Sequence, residues 1–169
     1  MIHGVHHTAI STGQLDRMVD FYGGFLGFEL ISKGGWEAGN EEIDALVGLP
    51  NSAARTAMLR SGTVFLEMFE YSSPPAQPSS PDRPVCDHGY THICLAVTDI
   101  DSEFERLRQG GMRFHAAPTP APQPGDKVRR SSIRSAYGRD PDGNVVELLE
   151  LLHPESPLHL AATTTPAAS

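Results

Sequence analysis

Two histidines and two glutamates in this 169-residue chain occupy matched places along the sequence. His7 and His92 stand 85 residues apart, and Glu67 and Glu147 stand 80 residues apart. Imidazole nitrogens and carboxylate oxygens are common ligands of divalent first-row metals. Each glutamate also lies inside an apolar run, where a carboxylate is costly unless it is paired, hydrogen-bonded or bound to a metal. These four residues are therefore the candidate metal ligands.

The sequence around the four residues repeats. The first apolar residue of a helical pattern, Leu15 or Ile100, comes eight positions after each histidine, and an aspartate follows directly. Each glutamate lies in a string of the form apolar-Glu-apolar-apolar-Glu near the end of its half. The histidines are separated by 85 residues and the glutamates by 80, so the two halves differ by an insertion or deletion of five residues between these points. A βαβββ unit present twice is the simplest account, since one such unit does not cover its own sheet.

Local patterns predict the elements that position these residues. Period-two alternation predicts strands, helical spacing of apolar residues predicts helices, and the pairs Gly23-Gly24 and Gly110-Gly111 predict where the helices end. The predicted extended segments are 5–11, 25–31, 55–59, 63–71, 90–97, 131–137 and 145–152, and the predicted helices are 15–22 and 100–109. Residues 32–52, which include Trp36, are predicted to be irregular or partly helical, and residues 140–144 to form a turn.

Four segments make up the predicted domain organisation. The first βαβββ module spans residues 1–71, and the second spans residues 89–152. A linker over residues 72–88 separates them, because its five prolines disfavour helix and central sheet. Residues 153–169 are rich in Pro, Thr and Ala and are predicted to be a flexible tail.

The composition excludes several classes of protein. The chain has 13 Lys+Arg against 21 Asp+Glu, a net charge of −8, which disfavours binding to nucleic acid or to an anionic membrane. Hydrophobic residues make up 39% of the chain, which is enough for a packed core. No apolar run reaches the roughly 20 residues of a membrane-spanning helix. The start of the chain lacks a signal-peptide pattern, and the two cysteines form no disulfide framework, so a cytoplasmic location is predicted.

Five segments carry a resemblance to a known family. They are HHTAI at 6–10, FYGGFLGF at 21–28, FLEM at 65–68, GYTHICLAVTD at 89–99 and DPDGNVVEL at 140–148. With these segments the chain resembles the vicinal oxygen chelate superfamily over about residues 4–152. That superfamily includes glyoxalase I, methylmalonyl-CoA epimerase, extradiol dioxygenases, thiol-transferring fosfomycin resistance proteins and bleomycin-binding proteins.

The resemblance implies an α+β fold in which two βαβββ modules form a curved mixed sheet around a metal-centred cavity. It implies that His7, Glu67, His92 and Glu147 hold one divalent ion, which is Ni, Co, Zn, Mn or Fe(II). Two adjacent positions would remain for the oxygens of a small-molecule substrate, and the ion would stabilise an enediolate or enolate. Glu67 or Glu147 would be the catalytic base. A homodimer is expected, since modules of this kind pair within a chain or between chains.

Some residues depart from the family pattern or have open roles. Thr91 stands where glyoxalases usually have Gly or His, and Thr12 stands where they carry a small branched residue. Arg55 falls near the place of an extra acidic residue of the epimerases. Candidates for glutathione carboxylates are Arg55, Arg129, Arg130 and Arg134; candidate auxiliary acids or bases are Glu41, Glu42 and Tyr137; histidines expected in loops or on the surface are His3, His88, His115, His153 and His159.

Three functions stay open at this level. The first is a metal-dependent isomerase or lyase that moves a proton next to a carbonyl. The second is an iron(II) ring-cleaving dioxygenase using His7, His92 and Glu147, in which Glu67 would block a site that must be open. The third is a non-catalytic drug- or metabolite-binding protein. A one-residue slip of the first strand would also replace His7 by His6 as the ligand.

Overall fold

The computed structural model describes residues 1–121 and 132–160. Arg129, Arg130 and the tail from residue 161 onward lie outside the described residues. The chain divides into two compact units, an N-terminal unit of Met1–Ser79 and a C-terminal unit of Ser80–Ser169. Among the described helices, none is long and apolar enough to cross a membrane.

The N-terminal unit contains four strands and two helices. They are β1 (His7–Ser11), α1 (Leu15–Val19), β2 (Glu29–Trp36), α2 (Glu41–Val47), β3 (Ala53–Ser61) and β4 (Val64–Ser73), and α1 continues into a π-helical turn over Asp20–Phe25. The sheet order is β1-β4-β3-β2. The pair β1–β4 is parallel, and the other pairs are antiparallel.

The C-terminal unit repeats this topology. Its elements are β5 (His92–Ala96), α3 (Ile100–Gln109), β6 (Arg113–Phe114), β7 (Ile133–Arg139) and β8 (Val145–Leu151), and its sheet order is β5-β8-β7-β6. Here too the strand that carries the histidine runs parallel to the strand that carries the glutamate. The predicted α+β fold with two βαβββ modules is confirmed, with one four-stranded mixed sheet in each unit.

The helices cover one face of each sheet. In the N-terminal unit, Leu66 and Met68 of β4 are buried on the face against which α1 packs. In the C-terminal unit, Val146 and Leu148 of β8 are buried in the same way near α3. Because neighbouring side chains on a strand point to opposite faces, Glu67 and Glu147 lie on the faces away from the helices. We call these two surfaces the pair faces.

Two local predictions need correction. Residues 32–36 belong to β2, where Gly35 leaves room for the close approach of β3: a Cβ on Gly35 would lie 2.3 Å from the carbonyl oxygen of Ala54. Pairing with β3 therefore overrides the low strand propensity of the two glycines. The first helix also continues past Gly23-Gly24 to Phe25, since the wider turn lets the amide of Leu26 donate to the carbonyl of Phe21.

Candidate metal centre

The first His–Glu pair lies on the two parallel strands of the N-terminal unit. His7 Nε2 on β1 is 3.3 Å from Glu67 Oε2 on β4. The other ring nitrogen of His7, Nδ1, is 2.9 Å from Nδ1 of His6. His6 itself stacks on Phe65, with ring centroids 4.9 Å apart. His7 is thus the histidine that faces Glu67, and His6 contacts it from the other side.

The second pair has the same design. His92 Nε2 on β5 is 3.0 Å from Glu147 Oε2 on β8, and both side chains are mostly buried, at 27% and 14% exposed. Nδ1 of His92 is 2.9 Å from the hydroxyl of Thr91. When Nδ1 donates to that hydroxyl, Nε2 keeps a lone pair for a metal. The threonine that departs from the family pattern therefore contacts the nitrogen that orients the ring.

The donor atoms in each pair are compatible with a divalent ion. Two ligand atoms at about 2.1 Å from one ion and at a right angle lie about 3 Å apart, close to the separations seen here. One imidazole nitrogen and one carboxylate oxygen per pair suit Ni, Co, Zn, Mn or Fe(II). Among the described residues, no group of three or more His, Cys, Asp or Glu side chains is arranged as a metal site. Each unit therefore holds one His–Glu pair whose atoms could serve as metal ligands.

The surroundings of Glu147 include two groups with altered acidity. Cys94 and Tyr137 lie directly across from Glu147 on the neighbouring strands β5 and β7. Burial of the thiol, the charge of Glu147 and a hydrogen bond to Glu147 raise the pKa of Cys94 to about 12. The thiol is thus protonated at neutral pH. Burial and the charges of Glu147 and Cys94 raise the pKa of Tyr137, whose ring centroid is 5.0 Å from that of His92.

Other predicted residues lie elsewhere. Glu41 and Glu42 are exposed in the first turn of α2, beyond the cap formed by Asn40. His115, expected to be a surface or loop residue, follows β6 and contacts the ring of Tyr137 at 6.3 Å between centroids. Its Nε2 accepts a hydrogen bond from Arg139, and burial together with nearby arginines lowers its pKa. All five histidines of that group, including His115, are exposed.

The surroundings of Glu67 differ from those of Glu147. Ala9 and Met58 occupy the positions that Cys94 and Tyr137 occupy in the other unit. On the same face as Glu67, three half-buried rings contact one another, with centroids 5.8 to 6.1 Å apart. We call these rings the aromatic cluster; they belong to Trp36, Phe69 and Tyr71. Burial and the charge of Glu67 raise the pKa of Tyr71. Strand register puts Phe69 and Tyr71 on the same face of β4 as Glu67.

Two of the arginines that were candidates to bind the carboxylates of glutathione each form an ion pair with a helix instead. Arg55 of β3 contacts Asp16 of α1 and Glu70 of β4, and Arg134 of β7 contacts Asp101 of α3 and Glu150 of β8. We call each such Asp–Arg–Glu group a helix clamp. The two clamps occupy equivalent positions in the two units. In each clamp the aspartate is the second residue of the helix, and the glutamate lies three residues after the glutamate of the His–Glu pair. The arginines are thus engaged on the helix side of each sheet.

The family assignment follows from this repeated fold and its two matched pairs. A model of the glyoxalase/bleomycin resistance protein/dioxygenase superfamily matches residues 4–148. The chain belongs to this superfamily. The resemblance inferred from the sequence is confirmed.

Three similar proteins place the chain within the superfamily. A 2-epi-5-epi-valiolone epimerase from Actinomyces sp. is 34% identical over 158 residues, which cover 87% of this chain and 79% of the relative. A probable lactoylglutathione lyase from Synechocystis sp. is 24% identical over 144 residues, covering 85% and 92%. The crystal structure of a glyoxalase family protein from Bacillus cereus matches with a TM-score of 0.76 and 22% identity, over 90% of this chain and 97% of that one. This glyoxalase-superfamily member is an enzyme of the isomerase or lyase type.

Proposed function

We propose that this protein is a metal-dependent epimerase that inverts a carbon bearing a hydroxyl next to a ketone. The observation that carries the proposal is the repeated His–Glu pair, with Nε2–Oε2 distances of 3.3 and 3.0 Å. The ligands are His7, Glu67, His92 and Glu147. A divalent ion bound by them would supply Lewis acidity to a substrate that offers two neighbouring oxygens.

The proton transfer is assigned to the two glutamates. One carboxylate removes the proton from the carbon that bears the hydroxyl, and the electron pair of that C–H bond moves to the carbonyl oxygen to give an enediolate. The other glutamate, as the carboxylic acid, gives its proton to the opposite face of the same carbon, which completes the inversion. Exchange of one proton with solvent at each glutamate then restores the starting state. We assign the first step to Glu67, because Glu147 is less exposed, at 14% against 24%, and accepts a hydrogen bond from Cys94.

The charges on the pair faces favour a neutral substrate over a glutathione adduct, which carries two carboxylates. By strand register, the described arginines and lysines on these faces are Arg60 of β3, Arg139 of β7 and Arg113 of β6, and Arg113 forms an ion pair with Asp82. Arg60 forms an ion pair with Glu29. Arg139 donates to the carbonyl oxygens of Pro81, Arg83 and Gly143 and to His115. Because all three cations have partners within the protein, we infer that an epimerase is favoured over a lactoylglutathione lyase.

The experiment combines metal analysis with proton exchange. Purified protein is loaded with Ni, Co, Zn, Mn or Fe(II), and the metal content is measured beside His7→Ala, Glu67→Ala, His92→Ala and Glu147→Ala variants whose folding is checked by circular dichroism. Exchange of the α-proton of a hydroxyketone with D2O is followed by NMR. About one ion per chain, lost in all four variants, together with proton exchange in the wild type, is the expected result.

Other outcomes contradict the proposal and favour one of the alternatives. Metal that survives Glu67→Ala but not the other three changes favours the dioxygenase, since its site needs two histidines and one carboxylate. Turnover of the hemithioacetal of glutathione and methylglyoxal, without exchange in the hydroxyketone, favours the lyase. Absence of metal under every loading condition favours a binding protein.

A further inference from the structure

The aromatic cluster lies in successive rows of the N-terminal pair face. Strand register puts Ser32, Met58, Glu67 and Ala9 in one row, Gly34, Thr56, Phe69 and Ser11 in the next, and Trp36, Ala54 and Tyr71 in the third. Rows on one face are separated by two residues, or about 6.6 Å. The first ring of the cluster, Phe69, therefore lies one row from Glu67. This spacing is similar to the width of a six-membered ring in a ligand.

The cluster is held in place by the segment that follows β2. Nε1 of Trp36 donates to the hydroxyl of Ser52 at 2.9 Å. Ser52 is fully buried and donates in turn to the carboxylate of Asp44 at 2.6 Å. The indole N–H is thus satisfied within the protein, and the polar chain behind it fixes the orientation of the ring. A ring fixed in this way presents a ready-made surface to a ligand.

Small residues leave space beside the rings. Gly34 and Thr56 share the row of Phe69, and Gly34 carries no side chain above the sheet. The three rings are half-buried. A ligand that reaches Glu67 from this side would lie over Phe69 and Thr56 and meet the edge of Trp36.

The C-terminal unit has no aromatic rings on β8 at the positions equivalent to Phe69 and Tyr71, although Tyr137 contacts His92 and His115 on the same face as Glu147. At the positions equivalent to Phe69 and Tyr71 on β8 it carries Leu149 and Leu151. The equivalent of Thr56 on β7 is Ser135. Each pair face therefore has a His–Glu pair, but the surfaces next to the two pairs differ. A surface that selects the substrate can differ in this way, because it contacts the part of the substrate beyond the reacting oxygens.

We propose that Phe69, Tyr71 and Trp36 form the surface that selects a substrate with a saturated carbon ring, namely a neutral polyhydroxylated cyclic ketone. This inference rests on the proposed function, because it assigns the part of the substrate beyond the two reacting oxygens. The C–H bonds of such a ring are polarised by its oxygens, and they lie against the electron-rich faces of aromatic rings. The hydroxyl groups project from the rim of the substrate toward solvent or polar side chains.

The test uses the intrinsic fluorescence of Trp36, which is the only tryptophan of the chain. The metal-loaded protein is titrated with 2-keto-myo-inositol, a polyhydroxylated cyclohexanone, and with erythrulose, which has a hydroxyketone without a ring. The variants are Phe69→Leu and Tyr71→Leu, which install the residues of the C-terminal unit. Phe114→Leu makes the same change on the helix side of the other sheet and serves as the matched control.

We expect the cyclic ketone to change the fluorescence of the wild type, and Phe69→Leu and Tyr71→Leu to weaken its binding by about fivefold to tenfold. Binding of erythrulose should change less than twofold in these variants, and Phe114→Leu should bind both compounds as the wild type does. Equal weakening of both compounds, or no effect of either variant, would overturn the inference. So would the absence of any fluorescence change with the cyclic ketone.

The same samples separate this inference from the proposed function. Exchange of the α-protons with D2O, followed by NMR, measures the reaction, whereas the fluorescence measures the ring surface. If the wild type exchanges no α-proton but binds the cyclic ketone in a manner that Phe69→Leu weakens, the proposed reaction is wrong and the ring surface is supported.

Discussion

At the scale of single residues, the group behind each histidine matters as much as the histidine. His6 and Thr91 stand one position before the two proposed histidine ligands and contact Nδ1 of His7 and His92 at 2.9 Å. A partner on Nδ1 fixes which nitrogen faces the metal, and loss of such a partner typically weakens metal binding by about 10- to 100-fold.

Replacing Thr91 by valine removes the hydroxyl at nearly constant volume. We expect the Kd for the divalent ion to rise by about tenfold, because Nδ1 of His92 loses its partner. Competition with a chromogenic chelator measures the Kd. Thr98→Val, on an exposed residue beyond β5, is the control. An unchanged Kd in Thr91→Val would show that the hydroxyl does not orient the ring.

The thiol of Cys94 gives a second prediction at this scale. Its pKa is raised to about 12 by burial and by Glu147, so the reactive thiolate forms only at high pH. In a metal-free Cys86→Ser background, alkylation by iodoacetamide should stay slow between pH 7 and 10 and accelerate as the pH approaches that pKa. Glu147→Gln removes the negative charge and should move the onset to lower pH. Fast alkylation at pH 8 without that change would contradict the prediction.

At the scale of elements, the helix clamps tie α1 and α3 to their sheets with different strength. Arg134 is 9% exposed, and its two terminal nitrogens contact Asp101 at 2.7 and 2.8 Å, while its Nε donates to the carbonyl of Thr119. Arg55 is more than half exposed. Exposed ion pairs contribute little, whereas breaking a buried one leaves a charge unpaired.

We therefore expect Arg134→Met to lower the free energy of unfolding by about 2 kcal/mol, and Arg55→Met to lower it less. Urea denaturation followed by circular dichroism measures both. Equal losses would show that the burial of Arg134 adds nothing.

Acid titration tests the same clamp. Arg134 lowers the pKa of Asp101 below its ordinary value of 3.8, so the folded state binds this proton less readily than the unfolded state does. The resulting stability is present above pH 3.8 and is lost as the pH falls through the lowered pKa. Between pH 5 and 3, the wild type should therefore lose more stability than Arg134→Met does, as measured by urea denaturation at each pH. Parallel loss in both proteins would contradict this assignment.

The elements also show what the sequence could and could not predict. Helix α3 has the predicted bounds, because Asp99 caps its start through the amide of Ser102 and Gly110 follows its end. The second strand escaped prediction over residues 32–36, since its Gly34-Gly35 pair forms a strand only through contact with β3. The place of Trp36, and with it the aromatic cluster, depends on that long-range pairing. The alternation of Cys94 with His92 predicts that both side chains lie on one face of β5, and the strand register agrees.

At the scale of the whole molecule, each unit holds one His–Glu pair, and we propose that a single ion is bound by both pairs. A ligand present at about 100 times its Kd stabilises the folded state by about 2.7 kcal/mol. The predicted homodimer and the cytoplasmic location stay predictions.

We expect the divalent ion to raise the Tm of the wild type, and His7→Ala or His92→Ala alone to abolish the rise. Thermal denaturation with the ion and with excess EDTA measures the difference. Half of the rise in each variant would indicate two independent ions, one per pair. His3→Ala, on an exposed histidine near the start of the chain, controls for unspecific binding.

The unequal pair faces have a stereochemical consequence. With two identical modules, a substrate could bind in two orientations of equal energy. In both orientations, either face of the reacting carbon would meet the same kind of carboxylate. Here one face carries Phe69 and Tyr71, and the other carries Leu149 with Cys94 and Tyr137 nearby. If both pair faces contact the substrate, as the proposed four-ligand site requires, the two orientations of a bound molecule differ in energy, and the enzyme selects one of them.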